Sequence, residues 1–143
     1  MKITLDRMND AVLFKALNEE GNSIMMDGSE KIGGTGTAAR PMEVLLMALG
    51  GCSSIDIISI LKKMKQPVTN YHVEIDGKRA EDQEPAIFTD IHISYFVEGD
   101  VNPERVNRAA ELSVEKYCSV SKMIEHISKI TYSVYVNGEK TFG

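Results

Sequence analysis

The chain has 143 residues, with 16 Lys and Arg against 21 Asp and Glu and a formal net charge of -5. This length suits one domain over residues 1–143 with a core of its own. The acidic balance, with no basic stripe, excludes the charge pattern by which proteins track a phosphate backbone, so no nucleic-acid partner is expected.

At the N-terminus, Met1-Lys2-Ile3-Thr4-Leu5-Asp6-Arg7 carries charge where a secretory leader needs an apolar run of about 7–15 residues. A cytoplasmic protein is expected, in a compartment where structural disulfides are rare. A strand meander follows: Ile3 and Leu5 alternate with polar residues, Ala11 to Leu17 form a second run and Ser23 to Met26 a third, separated by turns at Asn9-Asp10 and Glu20-Gly21-Asn22. Gly33-Gly34-Thr35-Gly36-Thr37-Ala38-Ala39 lacks the Lys-Ser/Thr of a phosphate-binding loop and is expected to be a plain flexible loop.

Pro41 suits a first helical position and Glu43 complements the dipole, so a helix is predicted from Pro41 towards Lys62-Lys63. Its stretch from Val44 to Leu61 is long enough to approach a bilayer span. Asp56 near its centre would cost roughly 2.5–3.5 kcal/mol on insertion scales, and its serines and glycines dilute the apolar gain. A helix buried in a soluble core or dimer is the expectation, with no membrane partner.

Tyr71, Val73 and Ile75, then Ile87, Thr89, Ile91, Ile93, Tyr95 and Val97, alternate as two strands of a hairpin joined by Glu81-Asp82-Gln83-Glu84-Pro85. Asn102-Pro103-Glu104 reads as cap, first-position proline and acidic first turn of a helix with Val106, Ala109, Ala110, Leu112 and Val114 on one face. That helix is expected to deliver Cys118 at its C-terminal end. Ser119 or Ser121 would cap a short helix through Ile127, and Ile130, Tyr132, Val134 and Val136 a last strand ending at Asn137-Gly138. The class is α+β, strands flanking a helical centre.

Chemistry concentrates on the two cysteines, Cys52 in Gly50-Gly51-Cys52-Ser53-Ser54 and Cys118 in Tyr117-Cys118-Ser119-Val120-Ser121. A thiol reacts as thiolate, and at an unperturbed pKa of about 8.5 only roughly 3% is ionised at pH 7. Each interior glycine costs a helix about 0.8–1 kcal/mol relative to alanine, so Gly50-Gly51 would break or kink it and leave Cys52 in a new first turn, where a thiolate is favoured. Alternatively the glycines permit close packing and Cys52 is a small inert core residue. Cys118, 66 positions further on, is either a structural crosslink or a resolving thiol. In the second case Cys52 attacks a peroxide, and the resulting sulfenic acid condenses with Cys118 to a disulfide that an external dithiol reduces.

Over nearly its whole length the chain resembles the OsmC/Ohr family of osmotically inducible and organic hydroperoxide resistance proteins, in its OsmC-like, YhfA-type branch. The resemblance is carried by the strand meander, by Pro41-Met42-Glu43-Val44-Leu45-Leu46-Met47-Ala48-Leu49-Gly50-Gly51-Cys52 and by Tyr117-Cys118-Ser119-Val120-Ser121. It implies an intertwined homodimer with active sites at the subunit interface and thiol-dependent reduction of small hydroperoxides at the expense of a dithiol, lipoyl-type or other. Cys52 would be peroxidatic, Cys118 resolving, and no cofactor or metal would be required. In the family's peroxidase branches a glutamate directly follows the helix-opening proline and pairs with an arginine from the N-terminal strands. Here Met42 holds that position, leaving Glu43, one residue late, and Arg7 as the candidates, with Arg40 nearer the helix but outside any matching motif. Asp56 is expected as a buried polar contact.

Competing readings have less support. No Gly-x-Ser-x-Gly pattern favours an esterase. His72, His92 and His126 would be needed for a cysteine-histidine hydrolase, but His72 and His92 fall on outward strand positions. Two distant cysteines and three scattered histidines show no metal-ligand spacing. The rival of another class is a non-enzymatic dimeric redox sensor or binding module for a small apolar ligand, its cavity lined by methionines such as Met25, Met26, Met42, Met47, Met64 and Met123.

Overall fold

A computed structural model describes residues 1–143. The chain divides into two compact units, Met1–Met47 and Ala48–Gly143. The class is α+β, as expected.

In the first unit β1 (Thr4–Arg7), β2 (Phe14–Leu17) and β3 (Ser23–Met26) form an antiparallel sheet in the order β1-β2-β3. β2 starts later than the apolar run suggested because the Asn9 carboxamide oxygen accepts the backbone N–H groups of Ala11 at 2.9 Å and Leu13 at 3.2 Å, holding both in the turn. The glycine-rich segment is not a plain flexible loop. Buried Asp27 organises it: its carboxylate accepts the N–H of Gly28 at 2.8 Å, the N–H and hydroxyl of Thr35 at 2.9 and 2.8 Å, and the N–H of Thr37 at 3.3 Å. The Thr35 hydroxyl above all, with these N–H groups, holds the carboxyl below its ordinary range against the opposing effect of burial. Gly34 is needed there for space, since a Cβ would collide with the Gly28 carbonyl.

The division between the units falls within α1 (Pro41–Lys63). From Ala48 onwards the second unit continues with β4 (Val68–Arg79), β5 (Phe88–Gly99), α2 (Pro103–Leu112), a wide π-type turn (Ser113–Tyr117), α3 (Ser119–Ile124), β6 (Lys129–Val136) and β7 (Glu139–Phe142). The sheet order is β4-β5-β6-β7. β4 and β5 are the expected antiparallel hairpin, but β6 runs parallel to β5, from Asp90 opposite Lys129 to Val97 opposite Val136. A parallel neighbour requires a long crossover, and α2, the π turn and α3 supply it.

Ile91, Ile93, Tyr95 and Val97 put the buried face of β5 in the core. A register shift at Lys78/Arg79 changes the phase near the start of the strand, so Phe88 is buried there while Ile87, expected inside, is 37% exposed. On α2 the buried face is Val106, Ala109 and Ala110. Asn107 and Thr141 exchange hydrogen bonds that fasten α2 to β7, with Asn107 Nδ2 donating to the Thr141 carbonyl at 3.1 Å and the Thr141 hydroxyl to Asn107 Oδ1 at 2.7 Å. Strand β7 is an addition to the expectation. Asn137 (φ 49) and Gly138 (φ 86) form a tight turn that does not end the sheet but returns the chain against β6.

By length and apolar composition α1 is also able to cross a membrane. Its Ile55 side chain is 72% exposed.

Candidate functional site

Gly50-Gly51 does not break α1, which runs unbroken from Pro41 to Lys63, so Cys52 is in mid-helix and no dipole end faces it. The physical reason is packing against the sheet. A Cβ on Gly50 would lie 2.7 Å from Ile75 Cδ1, so the glycine lets α1 settle against β4 at that point, and the contact offsets the cost in helix propensity. Ser53, fully buried, turns its hydroxyl back to donate to the Gly50 carbonyl at 3.2 Å. The Tyr71 hydroxyl donates to Ser54 Oγ at 3.1 Å, tying β4 to the same turn of helix. Cys52 is half-buried.

The other thiol, Cys118, stands at the N-cap of α3 (Ser119–Ile124), beyond α2 and the π turn. Asn102 caps α2 by accepting the Arg105 N–H at 3.1 Å, as its sequence signature predicted. At its far end, however, α2 widens into the π turn Ser113–Tyr117 before reaching Cys118. The cap of α3 is the Cys118 sulfur, not Ser119 or Ser121. Cys118 Sγ accepts the Ser121 N–H at 3.3 Å, while the Ser121 hydroxyl donates to the Val114 carbonyl at 3.1 Å, and α3 ends at Ile124. The Ser113 hydroxyl donates to the Ser53 carbonyl at 3.1 Å and the Cys118 N–H to the Ser113 carbonyl at 2.9 Å. Ser113 thereby links the crossover to α1 next to Cys52.

These bonds converge the two thiols. Cys52 Sγ, Cys118 Sγ and a carboxylate oxygen of Asp56 lie within 4.8 Å of one another. Cys52 and Asp56 are four residues apart in α1 and so share a face. Both cysteines are free thiols. Cys118 has no exposed surface, and burial pushes its thiol up to about 11; the Ser121 N–H works in the opposite direction, and the adjoining Cys52 adds to the rise. Burial likewise raises Tyr71 to about 12 and Tyr95 well above the ordinary phenol value. Asp56 Oδ2 and the Tyr95 hydroxyl are sealed from solvent without a hydrogen-bond partner in the chain. For Tyr95 the neighbouring Ser53 hydroxyl is close enough to oppose the rise in pKa.

The other expected site residues make local contacts. The Arg7 guanidinium donates to the carbonyls of Ala11, at 2.7 Å, and Asp10. Glu43 accepts the Arg40 N–H at 2.8 Å and so caps the start of α1. His72 is exposed beside Glu74, and His92 is held by the hydroxyls of Thr131 and Ser133 at 2.8 and 3.1 Å. Of the methionines proposed to line a cavity, Met123 is 76% exposed. Sequence reasoning missed the turn of the Ser53 hydroxyl to the Gly50 carbonyl, the positioning role of Ser113 and the place of Asp56 beside the sulfurs. For Asp56 a signal existed in its four-residue spacing from Cys52 within an apolar helix.

A family model described as OsmC-like protein matches residues 34–133. The chain belongs to the OsmC-like protein family. Protein YhfA of Escherichia coli K12 is 41% identical to it over 128 residues, which cover 89% of this chain and 92% of that relative. Among solved structures, a hypothetical protein from Aquifex aeolicus VF5 superposes with a TM-score of 0.78 at 32% identity, covering 95% of this chain and 96% of the other. An organic hydroperoxide resistance protein OsmC from Legionella pneumophila shares the fold with a TM-score of 0.71 at 14% identity, covering 95% and 98%.

Proposed function

We propose that this protein is a thiol-dependent peroxidase that reduces organic hydroperoxides through Cys52 and Cys118 in an oxidative or osmotic stress response. One observation carries the reading: a half-buried thiol and a fully buried one, 66 positions apart in the chain, lie within 4.8 Å of each other. The family adds support, since relatives sharing the fold are described as organic hydroperoxide resistance proteins.

Cys52 attacks first because its sulfur is the more accessible. An S–O bond forms as the peroxide O–O bond breaks, and the departing alkoxide takes a proton to become the alcohol. Cys118, supplied by the crossover, then attacks the sulfenic sulfur; the disulfide forms and water leaves. An external dithiol returns two electrons and two protons and is itself oxidised to a disulfide. Arg7 and Glu43 are the candidates for an activating charge pair, brought to bear across a homodimer. The exposed apolar side chains Ile55, Met123 and Ile127 support such an assembly. A cytoplasmic protein is proposed, its peroxide reduction requiring no cofactor beyond the external dithiol.

The test is stopped-flow consumption of tert-butyl hydroperoxide with dihydrolipoamide as reductant. Wild type should turn over, Cys52→Ser should not, and Cys118→Ser should accumulate a sulfenic acid that dimedone traps. Consumption by wild type no faster than by a free thiol would reject the peroxidase. A dimeric redox sensor or binding module for a small apolar ligand, without turnover, would then stand.

A further inference from the structure

Two thiols and a carboxylate from separate elements, all within 4.8 Å of one another, form a donor set as well as a redox pair. Around tetrahedral zinc, Zn–S bonds of about 2.3 Å and Zn–O bonds of about 2.0–2.2 Å place sulfur and oxygen ligands roughly 3.4–3.8 Å apart. The observed spacing approaches that geometry within side-chain adjustment. The two ends of the site are also restrained, Cys118 by its cap on α3 and by the Ser113 bond to its N–H, and Cys52 and Asp56 by a continuous helix. Asp56 offers an oxygen, Oδ2, that is sealed from water and has no donor of its own. A cation would answer that deficit.

We propose that Cys52, Cys118 and Asp56 form a three-ligand site for a thiophilic divalent cation of the zinc class, with its fourth position open to water or a small anion. Two sulfurs select against magnesium and calcium, and the carboxylate selects a borderline divalent ion over purely thiolate-seeking monovalent copper. Loading requires no oxidant: the aquated ion displaces one proton from each thiol to the buffer and sheds water, and both sulfurs remain reduced. The site exists only in the dithiol state, because a disulfide removes both sulfur ligands. Metal loading and sulfur oxidation therefore exclude each other. This inference goes beyond peroxide turnover and does not depend on it.

Cobalt(II) titration of the reduced, full-length protein under anaerobic conditions reads the site directly. The expected result is one ion per chain with sulfur-to-cobalt charge-transfer absorption and the visible bands of tetrahedral cobalt, reversed by stoichiometric zinc. Cys52→Ser and Cys118→Ser should each lose at least half of the charge-transfer intensity. Asp56→Asn should keep the charge transfer but bind zinc at least tenfold more weakly in competition with a chromophoric chelator; Asp56→Ser provides a second variant if the first fails to fold. Charge-transfer absorption should vanish after oxidation by diamide. A reduced wild type without charge-transfer bands overturns the proposal. Unchanged zinc affinity in a folded Asp56 variant overturns the three-ligand assignment. Peroxide consumption, measured separately with chelator present, reports on the peroxidase reading alone.

Discussion

Alkylation of the reduced protein should separate the two thiols and identify which one meets substrate first. Cys118 is fully buried and its thiol is pushed from 9.0 up to about 11. At pH 8 a thiol of pKa about 9 is about 9% ionised and one of about 11 only about 0.1%, a hundredfold difference in reactive species before any steric shielding is counted. With iodoacetamide and peptide mass spectrometry, Cys118 should label at least about a hundredfold more slowly than N-acetylcysteine, and its rate should still be rising beyond pH 10. Cys52 should be the first site modified. In urea the two should converge, since the shift belongs to the fold. Labelling of native Cys118 within tenfold of the free thiol, with a midpoint below pH 9, would refute burial as the controlling factor and exchange the roles assigned to the two sulfurs.

Two further outcomes follow from the same kind of reasoning. The folded Cys118 thiol keeps its proton until about 11 whereas the unfolded one loses it near 9, so roughly 3 kcal/mol of stability present below pH 9 should be lost between pH 9 and 11; urea denaturation should show the fall beginning near pH 9 in wild type, whereas Cys118→Ser should hold its stability to about pH 10, where the raised tyrosines begin to destabilise both. Asp27 works in the opposite direction, because its folded carboxyl lies below the ordinary 3.8 and its stabilisation is present above that pH and disappears as pH falls through the folded value. Asp27→Asn should therefore lower the melting temperature at pH 7, with the gap from wild type closing below pH 4; an equal gap at pH 3 and pH 7 would exclude ionic hydrogen bonding by Asp27.

Elements announced by local signals were legible in the sequence. Pro41 opens α1 and Asn102-Pro103 opens α2 where their capping chemistry said, and the alternation from Ile91 to Val97 marks the buried face of β5. What escaped depends on partners distant in sequence. Gly50 read as a weak point because helix propensity is local, whereas its partner is Ile75 on the neighbouring strand. The glycine-rich loop read as unstructured because its organiser, Asp27, precedes it and acts through backbone N–H groups that composition does not reveal. A parallel β5–β6 pair looks the same as an antiparallel one in hydrophobic pattern, and Asn137-Gly138 can end a sheet or extend it. The cysteines were visible as chemistry, but the sulfur of Cys118 as a helix cap was not, since serines on either side of Val120 offered the ordinary alternative.

The parallel alignment of β5 and β6 also dates the site within the life of the chain. Its partners are about 40 residues apart, and closing so long a segment costs more chain entropy than closing a nearer hairpin. A nascent or partly folded chain therefore presents two solitary sulfhydryls with no common chemistry, each open to outside oxidants and mixed disulfides. Maturation of the crossover both shields one of them and introduces it to the other, so the paired thiols exist only in the completed fold.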